Sequence, residues 1–454
     1  MSISVGRKSA VRWSVFCLAA IAGLLLAADV GFAQCGFGRF PSVGGISINP
    51  EGVLSEPPAD AVPELVRQEL KNAKPVAGAL SEKVTIRKIS LKAIEAALAK
   101  SEQNNAAELP QEIKFLAGIQ RIQYVLVYPD DIVLAGPGEG WKLDSRGNYV
   151  GVTTGRPVVR LEDLVVALRT VNDAREGAIS VSIDPTEEGR KRFESYMKSQ
   201  KTFTPAVLDG IAQALGNQTI KIRGVPETSR FARMLAASDY KMKRIAMKLE
   251  ESPLPELPSF LDMMKKGGAK LGNMMPRWWM ACNYEPLAKS EDGLAWEIRG
   301  QGVKVLTEDD YVAGGKATAT GKVNPLAKEW ADTMTKHYDK LAVKEPVFGD
   351  LRNLMDLCVV AALIQKEGLQ QKANLQLPTL QGQDSKFELV YWHAPKTVAT
   401  QCSFVKRGSE YIITASGGVE IASWEVAGKS ILNAEVGQVR SKATPQTAGS
   451  LWWN

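Results

Sequence analysis

The sequence predicts a mixed α/β protein of the α+β class with two domains, and three observations support this. Strand-like alternation and helix-like periodicity follow one another over residues 84–250. Two long helical segments over 324–368 precede several short strand patterns over 387–424. Three prolines within 253–258 interrupt the chain between these regions. We therefore expect an N-terminal α/β layer and a C-terminal helix pair packed on a small antiparallel sheet.

The predicted organisation has six parts. They are a signal peptide (1–33), an N-terminal arm (34–58), an N-terminal α/β domain (59–250), a Pro-rich linker (251–258), a C-terminal α+β domain (259–432) and a mobile tail (433–454). A chain of 454 residues is long enough for two domains that each bury a core.

The N-terminal domain begins with a helix over 61–73 and a strand over 84–89, after which Ser90 caps a second helix. Pro129-Asp130-Asp131 predicts a hairpin turn, and a further hairpin follows within 141–154. The remaining patterns alternate between the two types. They predict helices over 161–171, after Asp184-Pro185, over 204–215 and over 228–250, with strands over 178–183 and 219–222.

The C-terminal domain is predicted to begin with a helix over 260–275 and two strands over 294–298 and 303–307, with a loop over 311–321. Asn324-Pro325 starts one helix, and a second ends at Gly368. The apolar run 357–364 predicts a helix covered on every side. Four strands then follow, over 387–392, 398–405, 411–415 and 419–424, with Ser416-Gly417-Gly418 in a tight turn.

The N-terminus has the three features of a secretory signal. Arg7, Lys8 and Arg12 are basic, 15–28 is apolar, and Gly31-Phe32-Ala33 has small residues where cleavage occurs. A retained anchor helix is the alternative. We expect a periplasmic or extracellular protein, in which Cys35, Cys282, Cys358 and Cys402 could pair. A Cys282–Cys402 bridge is one possibility, whereas Cys358 fits a buried thiol.

Charge and motif analysis argues against several classes of function. The chain carries +6, and cleavage after residue 33 would remove three basic residues and Asp29, leaving about +4. This value is too small to indicate a nucleic-acid partner. Gly136-Pro137-Gly138-Glu139-Gly140 matches no phosphate-binding spacing and precedes a hairpin rather than a helix. Ser195 and Lys198 have S-x-x-K spacing without its companion motifs. No cofactor and no metal site are expected.

Two groups of residues are candidates for binding. Arg277, Trp278, Trp279 and Tyr284 combine planar rings with a guanidinium, which suits stacking on a sugar or on an aromatic side chain. The helix over 228–250 carries a basic face, which consists of Arg230, Arg233, Lys241, Arg244 and Lys248. Such a face could contact an anionic membrane surface peripherally, or it could be the solvated edge of a core-facing helix.

Several segments share the pattern of a known family. They are 118–125, 239–243, Arg277-Trp278-Trp279, Tyr284-Glu285-Pro286, 299–303 and the helix pair at 326–365, within a likeness that extends over about 40–440. In these segments the chain resembles the secreted planctomycete proteins grouped as uncharacterised domain family 1598. The resemblance implies an exported protein and assigns neither an activity nor functional residues.

Two hypotheses for function follow. The first is a non-enzymatic binding or structural component of the cell envelope whose partner is a protein or a polysaccharide. The second is a hydrolase or lyase of extracellular material that uses His393 with a carboxylate. His337 is the other histidine, and Glu285, Asp332 and Asp339 are carboxylates near it in the sequence, but its helical face is apolar and favours a core position. A concave pocket shared by His393, Arg277 and Tyr284 would favour the enzyme.

Overall fold

The computed structural model describes most of the chain from residue 42 onward. The described residues are 42–43, 45–57, 76–103, 109–200, 205–266, 274–313, 316–383, 387–400, 402–403, 406–407, 410–411, 416–444 and 449–454. The signal peptide 1–33 and the predicted helix 61–73 lie outside them. The protein is of the α+β class, as the sequence predicted.

Helices and strands alternate over the first half of the described chain. The helices are α1 (Leu91–Gln103), α2 (Gln111–Lys114), α3 (Leu161–Arg169), α4 (Val171–Gly177), α5 (Glu187–Ser199), α6 (Pro205–Leu215) and α7 (Arg230–Ala246). The strands are β1 (Ser42–Val43), β2 (Ile46–Ile48), β3 (Val53–Ser55), β4 (Val84–Ser90), β5 (Tyr124–Tyr128), β6 (Asp131–Gly138), β7 (Trp141–Leu143), β8 (Tyr149–Gly151), β9 (Ile179–Asp184) and β10 (Gln218–Arg223).

The second half contains longer strands and the central helix. Its helices are α8 (Phe260–Lys266), α9 (Pro325–Lys336), α10 (Tyr338–Lys344), α11 (Pro346–Lys366), α12 (Leu369–Ala373), α13 (Ser423–Ala427) and α14 (Ala434–Lys442). Its strands are β11 (Met274–Asn283), β12 (Leu287–Lys289), β13 (Ala295–Glu297), β14 (Gly302–Ala313), β15 (Lys316–Ala319), β16 (Thr397–Val398), β17 (Lys406–Arg407), β18 (Glu410–Tyr411), β19 (Ser416–Ile421), β20 (Ser430–Leu432) and β21 (Trp452–Trp453).

Two large sheets contain most of these strands. The ten-stranded sheet has the order β1-β2-β3-β16-β10-β9-β19-β11-β14-β15, and the seven-stranded sheet has the order β20-β12-β13-β5-β6-β4-β21. Strands from both sides of the predicted linker 251–258 occur in each sheet. The sheets therefore join the regions 59–250 and 259–432 instead of separating them at the prolines.

The core is built around α11. Every residue from Pro346 to Ile364 on this helix is buried, which confirms the prediction of a helix covered on every side. Helices α3, α7, α10 and α13 pack against it. Helix α7 in turn covers one face of the ten-stranded sheet at β9 and β19. Within the described chain, no helix combines the length and apolar character that crossing a bilayer requires.

Three predictions in the C-terminal half are wrong. Residues 387–392 form no strand, and 416–421, predicted in part as a tight turn, pair with β9 and β11 in the large sheet. Much of the predicted strands 398–405 and 411–415 lies outside the described residues, and β17 and β18 between them form a two-stranded antiparallel pair. The predicted loop 311–321 contains the end of β14 and all of β15. The tail predicted to be mobile contains α14 and β21. In β21, Trp452 and Trp453 pair with Ile89 and Lys88 at the edge of the seven-stranded sheet.

Candidate functional site

The two tryptophans of the predicted patch lie on opposite faces of the ten-stranded sheet. Consecutive residues of a strand point to opposite sides, and Trp278 and Trp279 are consecutive in β11. Trp278 is 1% exposed, and its ring meets those of Phe260 and Trp330 edge-on at 4.9 and 5.2 Å between centroids. Trp278 is therefore a core residue, and its inclusion in a binding surface was wrong. Trp279 is half-buried on the other face.

We call the sheet face that carries Trp279 the outer face. The strand register orders its residues in two rows across β10, β9, β19, β11 and β14. One row is Lys221, Ser182, Gly418, Trp279 and Leu306, and the next is Arg223, Ser180, Glu420, Ala281 and Lys304. Neighbouring strands lie about 4.8 Å apart, so each row extends about 19 Å. In the first row, only Gly418 and Ser182 lie between Trp279 and Lys221.

Two cavities open on this outer face, and both are lined by Trp279 and Glu420. The first has a volume of about 370 Å³ and extends along the end of β11 to Tyr284 and α13. The second has a volume of about 440 Å³ and extends over β9 and β10, with Arg277 and Glu308 on its other side. Because the two cavities share these lining residues, they adjoin at Trp279, and we call them together the groove. Their combined length offers room for a long ligand.

Arg277 supports the platform formed by the Trp279 ring. Its guanidinium carbon lies 5.8 Å from the ring centroid of Trp279, within the range of a cation–π contact. The buried Nε atom of Arg277 has no hydrogen-bond partner among the described residues. The predicted pairing of a ring with a guanidinium is thus present, with Trp279 lining both cavities and Arg277 lining the second.

Tyr284 lines the first cavity, and a hydrogen bond to the buried helix α11 fixes its hydroxyl. Its hydroxyl donates to Oδ1 of Asp356 on α11 at 2.7 Å, and Nε of Arg121 donates to Oδ2 of the same carboxylate at 3.0 Å. Burial and the adjacent Asp356 carboxylate raise the pKa of Tyr284 far above its usual range. Tyr284 therefore lines the cavity as an uncharged phenol and does not act as an acid or base near neutral pH.

Cys282, Cys358 and Cys402 are free thiols in the structure, so the suggested Cys282–Cys402 bridge is wrong. Cys282 lies on β11 beside the first cavity, whereas Cys402 packs against the cluster of α5 and α6. Burial raises the pKa of Cys282 to about 12, which keeps the sulfur in its unreactive thiol form. Cys358 is a buried thiol on α11, as predicted.

The predicted basic face of α7 is not a surface. Its cations are directed at carboxylates and aromatic rings supplied by distant segments. Arg230 contacts Asp163, Glu162 and Asp350; Arg233 lies over Trp392; Lys241 contacts Glu250 and Glu345; Arg244 contacts Glu56 and Glu250; and Lys248 contacts Asp262. Of the five, only Lys248 is exposed. The structure therefore removes the basis for membrane contact through this helix.

Neither histidine reaches the groove. His393 is exposed on the segment 387–396, where its ring meets that of Tyr391 edge-on at 6.1 Å. His337 is half-buried at the junction of α9 and α10. Neither lines either of the two cavities, so the pocket shared by His393, Arg277 and Tyr284 that the enzyme hypothesis requires is not formed there. Over the described residues, no group of three or more His, Cys, Asp or Glu side chains could hold a metal ion.

Sequence reasoning missed half of the groove. Ser180, Ser182, Lys221, Arg223 and Glu420 line the second cavity, and none was a candidate. A signal was present in the strands, because the polar residues of 179–184 and 218–223 alternate with Ile and Val. This alternation indicates one solvent-facing side of each strand, but it does not show which strands are neighbours.

Comparison with protein-family models matches residues 181–260 to a family described as a protein of unknown function, DUF1598. The matched segment begins in β9 and contains α5, α6, β10 and α7, including Ser182, Lys221 and Arg223 of the groove. Comparison with curated proteins and with solved structures gave no match.

Proposed function

We propose that this protein is a non-enzymatic binding protein whose ligand is a glycan held in the groove of the outer face. The observation that carries this proposal is the half-buried ring of Trp279, which lines both cavities, of about 370 and 440 Å³, and has Gly418 and Ser182 beside it on the β19 and β9 side. Sugar rings stack on such an aromatic surface through their C–H faces, and Gly418 beside Trp279 leaves space for the adjoining unit.

The mixed charge of the groove favours a hydroxyl-rich ligand over an apolar one. The second cavity contains three basic residues and three acidic ones, which are Lys221, Arg223, Arg277, Asp184, Glu308 and Glu420. A hydroxyl group both donates and accepts hydrogen bonds, so it can satisfy carboxylates and cations in the same groove. An apolar ligand would leave these groups desolvated and unpaired, which is unfavourable.

We also propose that the protein is exported and acts in the periplasm or outside the cell, as a component of the envelope. The basic residues before position 13, the apolar stretch 15–28 and the small residues of Gly31-Phe32-Ala33 support export. So does the resemblance to secreted planctomycete proteins. A glycan ligand is consistent with this location because polysaccharides are major components of cell envelopes.

The test is binding of the purified protein to a panel of soluble polysaccharides, namely mixed-linkage β-glucan, xylan, galactomannan and polygalacturonate, measured by affinity electrophoresis. The unmodified protein should be retarded by at least one of them. Trp279→Ala should lose roughly tenfold or more in affinity, which corresponds to the 1–2 kcal/mol that one aromatic contact contributes.

The matched control is Trp453→Ala, which removes another half-buried tryptophan from the edge of the seven-stranded sheet. This variant should bind like the unmodified protein. Retention of full affinity by Trp279→Ala, or failure of all four polysaccharides to bind, would show that the outer face is not a glycan site. Capture of a protein instead of a polysaccharide by the same face would favour a protein partner.

A further inference from the structure

The β10 end of the groove carries two cations whose cross-strand neighbours are serines. Lys221 is paired with Ser182, and Arg223 is paired with Ser180, on the outer face of β9. We call these four residues the cationic corner. Both cations are exposed, and all four residues line the second cavity. On the other side of β10, strand β16 pairs only with Gln218 and Thr219, so it does not reach Lys221 or Arg223.

The charges of the cationic corner are not neutralised within the described part of the protein. Neither Lys221 nor Arg223 forms a salt bridge there, in contrast to the cations of α7. None of the acidic residues of the second cavity is the direct cross-strand partner of Lys221 or Arg223. Glu420 pairs with Ser180 from the opposite side, two strand spacings or roughly 10 Å from Arg223. Asp184 pairs with Thr219, roughly 7–8 Å diagonally from Lys221.

The third acidic residue of the second cavity, Glu308, is engaged elsewhere. Its Oε1 accepts a hydrogen bond from the backbone N–H of Gly321 at 2.7 Å. Glu308 also lies on β14, three strands away from β9 in the sheet order. Ser180 lies between Arg223 and Glu420, its two cross-strand neighbours. Positive charge is therefore concentrated at the β10 edge of the cavity, where Lys221 and Arg223 lie, although the cavity as a whole contains equal numbers of acidic and basic groups.

We propose that the cationic corner is an anion subsite, and that the glycan carries an acidic group on the unit that lies beside Lys221 and Arg223 at the β10 edge. The two serine hydroxyls can donate to the same anion that Lys221 and Arg223 attract. A uronic-acid carboxylate and a sulfate ester share this chemistry. This inference rests on the proposed glycan function. It adds that the ligand is negatively charged and that the β10 end of the groove recognises this charge.

The test is isothermal titration calorimetry of the full chain with tetragalacturonate and with its fully methyl-esterified form, in which each carboxylate is replaced by an uncharged methyl ester. A sulfated galactan tetrasaccharide and its desulfated form provide the sulfate arm. The acidic member of at least one pair should bind roughly three- to thirtyfold more tightly than its neutral member in 20 mM salt, and the difference should shrink in 200 mM salt.

The double variant Lys221→Gln with Arg223→Gln should remove this preference, so that the acidic and neutral members bind with equal affinity. The control double variant Lys142→Gln with Lys442→Gln removes two exposed cations outside the groove and should retain the preference. The arm in which the preference appears identifies the anion as a carboxylate or a sulfate.

Failure of this inference can be distinguished from failure of the proposed function. Equal binding of acidic and neutral members, with binding still reduced by Trp279→Ala, would overturn the anion subsite and leave the glycan function intact. A preference that survives the Lys221 and Arg223 substitutions would also overturn it. No binding of any of the four tetrasaccharides would overturn the inference, and the polysaccharide panel would then decide the proposed function separately.

Discussion

Glu139 should be a main stabilising residue of the region that follows β6, and its replacement gives a quantitative test of the fold. The carboxylate is 1% exposed and accepts five hydrogen bonds. The donors are the backbone N–H and the hydroxyl of both Thr153 and Thr154, together with the side-chain amide of Gln120 at 2.7 Å. Burial opposes ionisation, but these hydrogen bonds outweigh it and lower the pKa of Glu139 to about 2.

Glu139→Gln should destabilise the protein by about 3 kcal/mol at pH 7. The amide nitrogen that replaces one carboxylate oxygen cannot accept from the N–H of Thr153, and a lost hydrogen bond to a buried charged group is worth about 1.5–3 kcal/mol. The pKa gives a similar value, since a decrease from 4.5 to about 2 corresponds to roughly 3 kcal/mol. For a chain of 454 residues, 3 kcal/mol corresponds to a decrease in Tm of about 3 °C.

The pH dependence provides a second readout with a defined sign. Because the folded-state pKa of Glu139 is depressed, its stabilisation is fully present well above pH 4.5 and is lost as the pH falls toward 2. The difference in unfolding free energy between the unmodified protein and Glu139→Gln should therefore shrink from about 3 kcal/mol at pH 7 to about 1 kcal/mol at pH 3.

The assay is urea unfolding followed by tryptophan fluorescence at pH 7, 5, 4 and 3, with Tm values from calorimetry alongside. Glu291→Gln is the control, because Glu291 is exposed in a turn and should change stability by less than about 0.5 kcal/mol. A Glu139→Gln variant as stable as the unmodified protein at pH 7, or one with an undiminished deficit at pH 3, would refute the reasoning.

Two further predictions concern the core. Trp278→Ala should lower the unfolding free energy by about 3–5 kcal/mol, because Trp278 is enclosed by aromatic rings. Trp279→Ala lacks this enclosure and should lower it by no more than about 1–2 kcal/mol. Equal losses of the two variants in urea unfolding would contradict the assignment of Trp278 and Trp279 to opposite faces. Burial raises the pKa of Asp163, so its ionisation destabilises the fold as the pH rises above about 4. The unfolding free energy of Asp163→Asn, relative to that of the unmodified protein, should therefore increase by on the order of 2 kcal/mol between pH 4 and 8. A difference that stays constant over that range would refute this.

Local structure could be predicted from the sequence where the pattern and the capping residue agreed. Ser90 accepts a hydrogen bond from the N–H of Ala93 at the start of α1, and Asn324 accepts from Leu326 and Ala327 at the start of α9. These caps were predicted because their determinants lie within four residues of each other. The hairpin at Pro129-Asp130-Asp131 was predicted for the same reason.

The groove could not be predicted because it depends on which strands become neighbours. Residues 277–282 gave no strand prediction, so the alternation of Trp278 and Trp279 between two faces was missed. The basic face of α7 failed for a related reason. Helical spacing places Arg230 on one side of the helix, but it contains no information about Asp163 and Asp350, which lie 67 and 120 positions away. Cations that meet carboxylates in the fold and cations that remain free look the same in sequence.

Gly417 and Gly418 of β19 allow this strand to pack against α7 on one face and to line the groove on the other. They were assigned to a tight turn, yet both pair with β11 inside the sheet. A Cβ atom at Gly417 would lie 2.9 Å from Cε of Lys243 and 3.1 Å from Oδ1 of Asp239, so this glycine makes room for the ion pair that α7 buries against the sheet.

Gly418 faces a different constraint, because a Cβ atom there would lie 2.4 Å from the carbonyl oxygen of Val181 on β9. Its missing side chain lets β9, β19 and β11 approach closely while the surface beside Trp279 stays flat. A side chain at Gly417 would displace the buried pair, whereas one at Gly418 would disturb the pairing with β9 and obstruct the platform. The Gly417-Gly418 pair therefore couples the packing of α7 to the shape of the proposed glycan site.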